Sequence, residues 1–228
     1  MADKGLVIGD SGSGKSTALR NLDPAETVII RVVKKPLPFQ GWKKGYKLYD
    51  KESKTGNMFD VRDWATILKV MEFVDREMPK VRNLIVDDSQ YIMSLEYMDR
   101  VKERGFDKFS EICDHMKQVM MKPDDLRDDI IVFFLGHSED VSANGYSKTK
   151  MKTIGKMLDN VITPEGLFTV VLQAVSVVEG KNDVKHYFVT RTDGTTTVKT
   201  PMGMFSEMYI ENDLNEVIKA ITKYNEGE

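Results

Sequence analysis

Residues Gly9 to Ser16 read GDSGSGKS and satisfy the spacing GxxxxGK[ST], which suits the gripping of the phosphates of a nucleoside triphosphate. Glycines lack a Cβ, so consecutive backbone N–H groups can converge on an anion, and a helix starting directly afterwards adds the positive end of its dipole. The backbone of Gly9, Asp10, Ser11, Gly12, Ser13 and Gly14 is therefore expected to hold the phosphates, continuing into Lys15, Ser16 and Thr17. Lys15 is expected to reach the β- and γ-phosphates as a point charge, and the Ser16 hydroxyl to ligate Mg²⁺. Thr17 is assigned to the support of the first helical turn. ATP and Mg²⁺ are the cofactors this chemistry implies.

A metal at Ser16 needs a carboxylate opposite, and Leu84-Ile85-Val86-Asp87-Asp88 is an apolar strand that ends in two. Asp87 is read as the metal-side residue. Asp88 has two readings, as the residue that orients an attacking water or as an N-cap for a helix beginning near Gln90. Glu52 and Glu96 are weaker candidates for the base. A third apolar run, Ile130 to Gly136, ends at His137. In open α/β sheets ligands gather at the carboxyl ends of the strands, so His137 is a candidate sensor of the γ-phosphate, against an ordinary hydrogen-bonded loop histidine.

These residues must be positioned by alternating strands and helices. Gly5 to Ile8 and Thr27 to Val33 read as strands, with a helix from Ser16 to Leu22 between them. Trp64, Ile67, Leu68, Met71, Val74 and Met78 fall at helical spacing, and two further helical stretches occupy Gln90 to Lys122, parted near Gly105. Residues 168–192 read as a β-hairpin region turning through Glu179 to Asp183, and Leu214 to Tyr224 as a final amphipathic helix. The expected fold is α/β, one domain over residues 1–228, mostly parallel sheet with helices on both faces.

The 228 residues suffice for a full core at 41% hydrophobic content, and a net charge of -3 argues against a general nucleic-acid-binding coat while leaving room for a local basic groove. The single cysteine, Cys113, forms no internal disulfide and suits a reducing compartment; with His115 nearby it is read as structural. No apolar run approaches membrane-spanning length and the N-terminus leads straight into a strand, so neither a membrane span nor a signal peptide is expected. A cytoplasmic setting follows from this reading.

Several motifs together resemble the compact RecA-like P-loop ATPases of bacteriophages and prophages, associated with single-strand annealing and recombination. They are Gly9 to Thr17, Lys35-Pro36-Leu37-Pro38-Phe39, Ile85 to Tyr91, Gly105-Phe106-Asp107-Lys108-Phe109, Phe134-Leu135-Gly136-His137, Lys152 to Leu158 and Gly166-Leu167-Phe168-Thr169. The ordered set spans nearly the whole chain, and the segment Lys152 to Leu158 is its most specific part. The resemblance implies ATP use during DNA pairing or annealing, side-by-side assembly as a ring or filament with nucleotide near the subunit boundary, and a single-strand-binding protein as a further partner. The chain is shorter than full recombinases and lacks an obvious extra DNA-binding domain, a departure that bears on strand exchange more than on ATP binding and leaves strand exchange and annealing both open.

Residues 139–157 are polar and carry Lys148, Lys150, Lys152 and Lys156, which reads as a mobile basic loop. Three roles are open to it: phosphate contacts with single-stranded DNA with Tyr146 as a stacking ring, a merely solvated loop, or delivery of Lys156 to a neighbour's γ-phosphate. The connector from Lys34 to Lys44, with Phe39 and Trp42, is a second candidate DNA surface unless its aromatics pack inward. Three function classes compete: an ATP-dependent DNA-annealing protein, a small-molecule or nucleotide kinase, and a nucleotide-gated interaction module. The kinase is disfavoured because no arginine lies between Arg127 and Arg191.

Overall fold

The structure, a computed structural model, describes residues 1–143, 146–154, 163–180 and 183–227. Six parallel strands form the centre: β1 (Asp3–Gly9), β2 (Thr27–Arg31), β3 (Met58–Asp60), β4 (Asn83–Asp87), β5 (Ile131–Ala143) and β7 (Val170–Glu179), in the spatial order β3-β2-β4-β5-β1-β7. β8 (Asp183–Val189) and β9 (Tyr209–Glu211) add antiparallel to the β7 edge, and β6 (Tyr146–Met151) pairs antiparallel with β5 while its Thr149 also bridges to Thr196. The chain is thus α/β with a mostly parallel, mixed sheet.

The strands are apolar on both faces because both faces are covered, as parallel sheets require. Side chains two apart share a face. Leu6, Ile8, Val28, Ile30, Leu84, Val86 and Phe134 pack on one side against α2 (Trp64–Glu77) and α4 (Asp107–Met121). Val7, Ile29, Ile85, Phe133 and Leu135 face the other, against Leu19 and the Val217 and Ile221 stripe of α5 (Leu214–Glu226). Asp63 starts α2 by accepting the Thr66 N–H at 2.9 Å, a cap worth about 1 kcal/mol. α3 (Tyr91–Asp99) and α4 are parted at Gly105, whose φ of 92° no longer continues a helix.

Three local features differ from expectation. The stretch after the glycine-rich loop is a five-residue 3₁₀ turn, Thr17–Asn21, because Pro24 follows too soon for a longer helix. Residues 139–157 were expected as a loop, yet their described part up to Met151 is a ribbon in which β5 runs on past the sheet and β6 folds back on it, Glu139 opposite Lys150 and Val141 opposite Lys148. The Pro-bearing connector contains a single helical turn, α1 (Trp42–Gly45), and its aromatics turn inward: Phe39 and Trp42 pack on the core. β7 and β8 form the expected hairpin, but Lys181 and Asn182 of its turn lie outside the described residues. No helix among the described residues is long and apolar enough to cross a membrane.

Candidate functional site

β1 delivers the glycine-rich loop to the carboxyl edge of the sheet, where the loop closes on itself through Ser13 N–H to Asp10 O at 3.2 Å and Ala18 N–H to Gly14 O at 3.0 Å. Two of its glycines are demanded by close approach. A Cβ at Gly9 would lie 2.6 Å from Ala174 O and from Ser13 Oγ, and at Gly14, with φ of +94°, it would lie 2.9 Å from the His186 ring. The buried Ser13 hydroxyl has no hydrogen-bond partner among the described residues. With only a 3₁₀ turn behind the loop, the dipole contribution expected from a helix is small, and backbone N–H groups and Lys15 must dominate any anion binding.

Lys15 is buried, and its Nζ donates to Gly9 O at 2.6 Å and Asp10 O at 2.7 Å. Burial pulls its pKa down to about 8, against the opposing pull of Asp88 and Asp87. Next to it, Ser16 Oγ donates to Asp87 Oδ1 at 2.8 Å. Asp87 is 2% exposed at the end of β4; burial, and then the charge of Asp88, push its pKa up to about 6 despite the Ser16 hydrogen bond.

Asp88 leaves the strand in the left-handed region at φ 60°, a conformation Asp tolerates better than most residues. That turn gives the two adjacent carboxylates different partners. Asp88 pairs with Lys35 Nζ at 2.5 Å and stands 3.8 Å from His137 Nε2. It does not cap α3, whose N-cap position is Gln90 and carries no side-chain cap. Burial works against the Lys35 ammonium, but the hydrogen bond and charge of Asp88 outweigh it and raise its pKa. Burial first and the charge of Lys15 second hold the His137 pKa below its ordinary value, which favours the neutral ring.

Supporting contacts hold this arrangement from three elements. Arg31, at the end of β2, pairs with Asp60 at 2.7 Å and donates to Lys35 O at 2.6 Å, which fixes the loop that carries Lys35. Gln90 Oε1 accepts the His137 N–H at 3.1 Å, and Ser138 Oγ donates to Asp10 Oδ1 at 2.8 Å, tying β5 to the glycine-rich loop. His137 does not end its strand as expected; it marks where β5 stops pairing with β1, opposite Gly9. The cleft of about 230 Å³ is lined by Ser11, Gly12, Lys15, Ser16, Asp88 and His137, with Lys35, Pro36 and Pro38 as one wall. A second cleft of about 510 Å³ lies beyond Thr17, between Arg20, His186 and Asn212.

The structure therefore brings together the glycine-rich loop, Lys15, Ser16, Thr17, Asp87, Asp88 and His137 from distant parts of the chain. It does not bring the ribbon lysines into the cleft. Lys150 pairs with Glu139 at 3.2 Å, Lys148 and Lys152 are exposed, and Lys156 lies outside the described residues. Glu96 is engaged by Arg100 at 3.2 Å and His115 at 2.8 Å, and Glu52 sits in an exposed turn; neither lines the cleft. His115 also stacks on Trp64 at 3.9 Å, and Cys113 is buried. Gln90 and Ser138 have no site role in the sequence reading, and Lys35 enters it only within the Lys34 to Lys44 connector and at the head of the Lys35-Pro36-Leu37-Pro38-Phe39 motif, not as a partner of Asp88. No protein-family model and no curated protein matches the chain.

Proposed function

We propose that the chain is a RecA-like P-loop protein that binds Mg²⁺–ATP, hydrolyses it, and couples this to single-stranded DNA in annealing or recombination, assembled with copies of itself. The observation that carries the nucleotide reading is the 2.8 Å contact between Ser16 Oγ and Asp87 Oδ1, residues 71 apart in the chain. Neighbouring oxygen ligands about 2.1 Å from an octahedral Mg²⁺ stand about 3 Å apart, so this hydroxyl–carboxylate pair has the donor chemistry and the spacing of two such ligands. Bound there, Mg²⁺ would neutralise charge on the β- and γ-phosphates.

The chain's own residues supply the remainder. Lys15 turns from the Gly9 and Asp10 carbonyls to the phosphates, and the loop N–H groups cradle them. The cleft beyond Thr17, between Arg20, His186 and Asn212, would be the neighbouring space for the nucleoside. β5 lies between β1 and β4 in the sheet, so His137 stands between the loop and the acidic strand end, where a polar group can respond to the γ-phosphate. Asp88 is the candidate to hold the attacking water. The DNA role rests on the resemblance and on the exposed Lys148 and Lys152.

A second reading has its own support. Asp88, the residue expected to orient water, is held in an ion pair by Lys35, an arrangement suited to a nucleotide-gated module without turnover. ATP turnover measured with and without single-stranded DNA separates the readings. Stimulation by DNA supports the proposal, binding without turnover supports the gated module, and phosphorylation of a small acceptor supports a kinase.

A further inference from the structure

At the β3 edge of the sheet, away from the cleft, a groove of about 860 Å³ runs between α2 and the turn at residues 49–54. Its floor is an aromatic cluster: Tyr49 stacks on Phe59 at 4.9 Å, and Phe73 of α2 meets Tyr49 edge-on at 5.2 Å. Its rim is basic. Lys51, Lys54, Lys69 and Lys80 line it, all exposed, against one carboxylate, Glu77. None of the four ammonium groups has an ion-pair partner among the described residues. In a chain of net charge -3 this concentration is local, not part of a general basic surface.

The wall is built in advance. Asp50 N–H donates to Thr55 O at 2.8 Å, Tyr49 N–H to Met58 O at 2.8 Å, and Asp50 Oδ1 accepts the Glu52 N–H at 2.8 Å. Lys54 is held at φ 54°, so the turn that carries two of the lysines has a defined shape. A preformed recess lowers the ordering cost of binding.

We propose that this groove docks an acidic segment of a partner protein, which seats one aromatic or large aliphatic side chain on the Phe59 and Phe73 rings while its carboxylates meet the lysine rim. Charge complementarity selects the acidic partner, and the recessed apolar floor selects the anchor. A single-stranded nucleic acid fits less well. Val61, Val70, Met78 and Val81 join the rings in the lining, an apolar recess that suits one inserted side chain better than a run of stacked bases.

The test uses the whole protein without nucleotide, so its outcome is separate from the nucleotide reading. The probe is a fluorescein-labelled acidic peptide of about ten residues with one central phenylalanine, titrated by anisotropy. Saturable binding is expected, weakening as salt rises and falling about tenfold when the peptide phenylalanine is replaced by alanine. Lys69→Glu with Lys80→Glu, both on the exposed rim and compatible with folding, should also weaken it about tenfold. Absence of saturable binding overturns the proposal, as does an affinity untouched by the double charge reversal. It is equally overturned if the reversal abolishes binding of an oligonucleotide but not of the peptide, or if sedimentation shows that it abolishes self-association, which would make a second copy the occupant.

Discussion

Lys15 and Lys35 in the cleft and Lys148, Lys150 and Lys152 on the ribbon are the same side chain in two settings. In the cleft, two ammonium groups, two carboxylates and one imidazole stand close together, Lys15, Asp87 and Asp88 buried and Lys35 on the exposed wall, and the charges of Lys15, Lys35, Asp87 and Asp88 shift the protonation of their neighbours. On the ribbon Lys148 and Lys150 stand on an antiparallel pair of strands, Lys150 tied to Glu139 and Lys148 exposed, while the exposed Lys152 follows just past the end of β6 and its N–H donates to His137 O at 2.8 Å. Water and salt screen those charges, so each acts weakly, over about 10 Å at 0.1 M salt, and their summed effect is roughly additive and salt-dependent. The cleft is built for geometry, and the ribbon for charge density.

The largest effect is expected at Lys15. Lys15→Ala removes charge-assisted hydrogen bonds to phosphate worth a few kcal/mol, about a hundredfold in nucleotide affinity by calorimetry. The fold should survive, because a lysine whose pKa is lowered to about 8 is held charged at pH 7 at the expense of stability. Affinity equal to the parent's would remove the phosphate role altogether.

Asp87→Asn should abolish Mg²⁺-dependent turnover while raising stability at neutral pH, because it removes a buried charge. The folded pKa of Asp87, about 6, lies above its ordinary value of 3.8. Its contribution is therefore fully present below about 3.8 and is lost as pH rises through about 6. Thermal melts from pH 4 to pH 8 should show this decline in the parent and a flatter profile in the variant. Mg²⁺–nucleotide affinity should move the other way, falling as pH drops through about 6, because the ion needs the carboxylate.

Asp88→Asn keeps a residue type that tolerates φ 60° and removes only the charge that holds Lys35. Nucleotide binding should be spared and turnover slowed by about a hundredfold if the carboxylate orients water. A parental rate would leave Asp88 a structural partner of Lys35. The smallest effects belong to the ribbon: Lys148→Ala and Lys152→Ala should each change the slope of log K against log salt by about 0.7 for single-stranded DNA. Lys150→Ala should change it less, since Glu139 already occupies that ammonium. Equal slopes for all three in filter-binding titrations would remove this distinction.

The loop from Gly9 to Ser16 and the acidic end of β4 were legible because their chemistry is written in consecutive residues. Lys35 was not. Its pairing with Asp88 depends on β2 lying parallel to β4 with Arg31 opposite Asp87, a long-range register that local pattern does not encode. β6 was missed because Ser147, Lys148, Thr149 and Lys150 lack apolar alternation and only Met151 reaches the core. The three-residue edge strands β3 and β9 are too short to carry a period. The helix after the loop was over-read because its turn-forming residues look the same whether Pro24 cuts them short or not.

β5 is a single uninterrupted beam. It is clamped at its root between β1 and β4, passes the cleft at His137, and projects beyond the sheet to Ala143. At about 3.4 Å per residue the six steps from His137 reach about 20 Å. A tilt of a few degrees at the clamp therefore displaces the tip by ångströms, and pairing with β6 stiffens the projecting part against absorbing that motion. Part-way along, Thr149 exchanges backbone hydrogen bonds with Thr195 and Thr197, so a displacement at the level of His137 would reach the 195–197 segment as well as the tip.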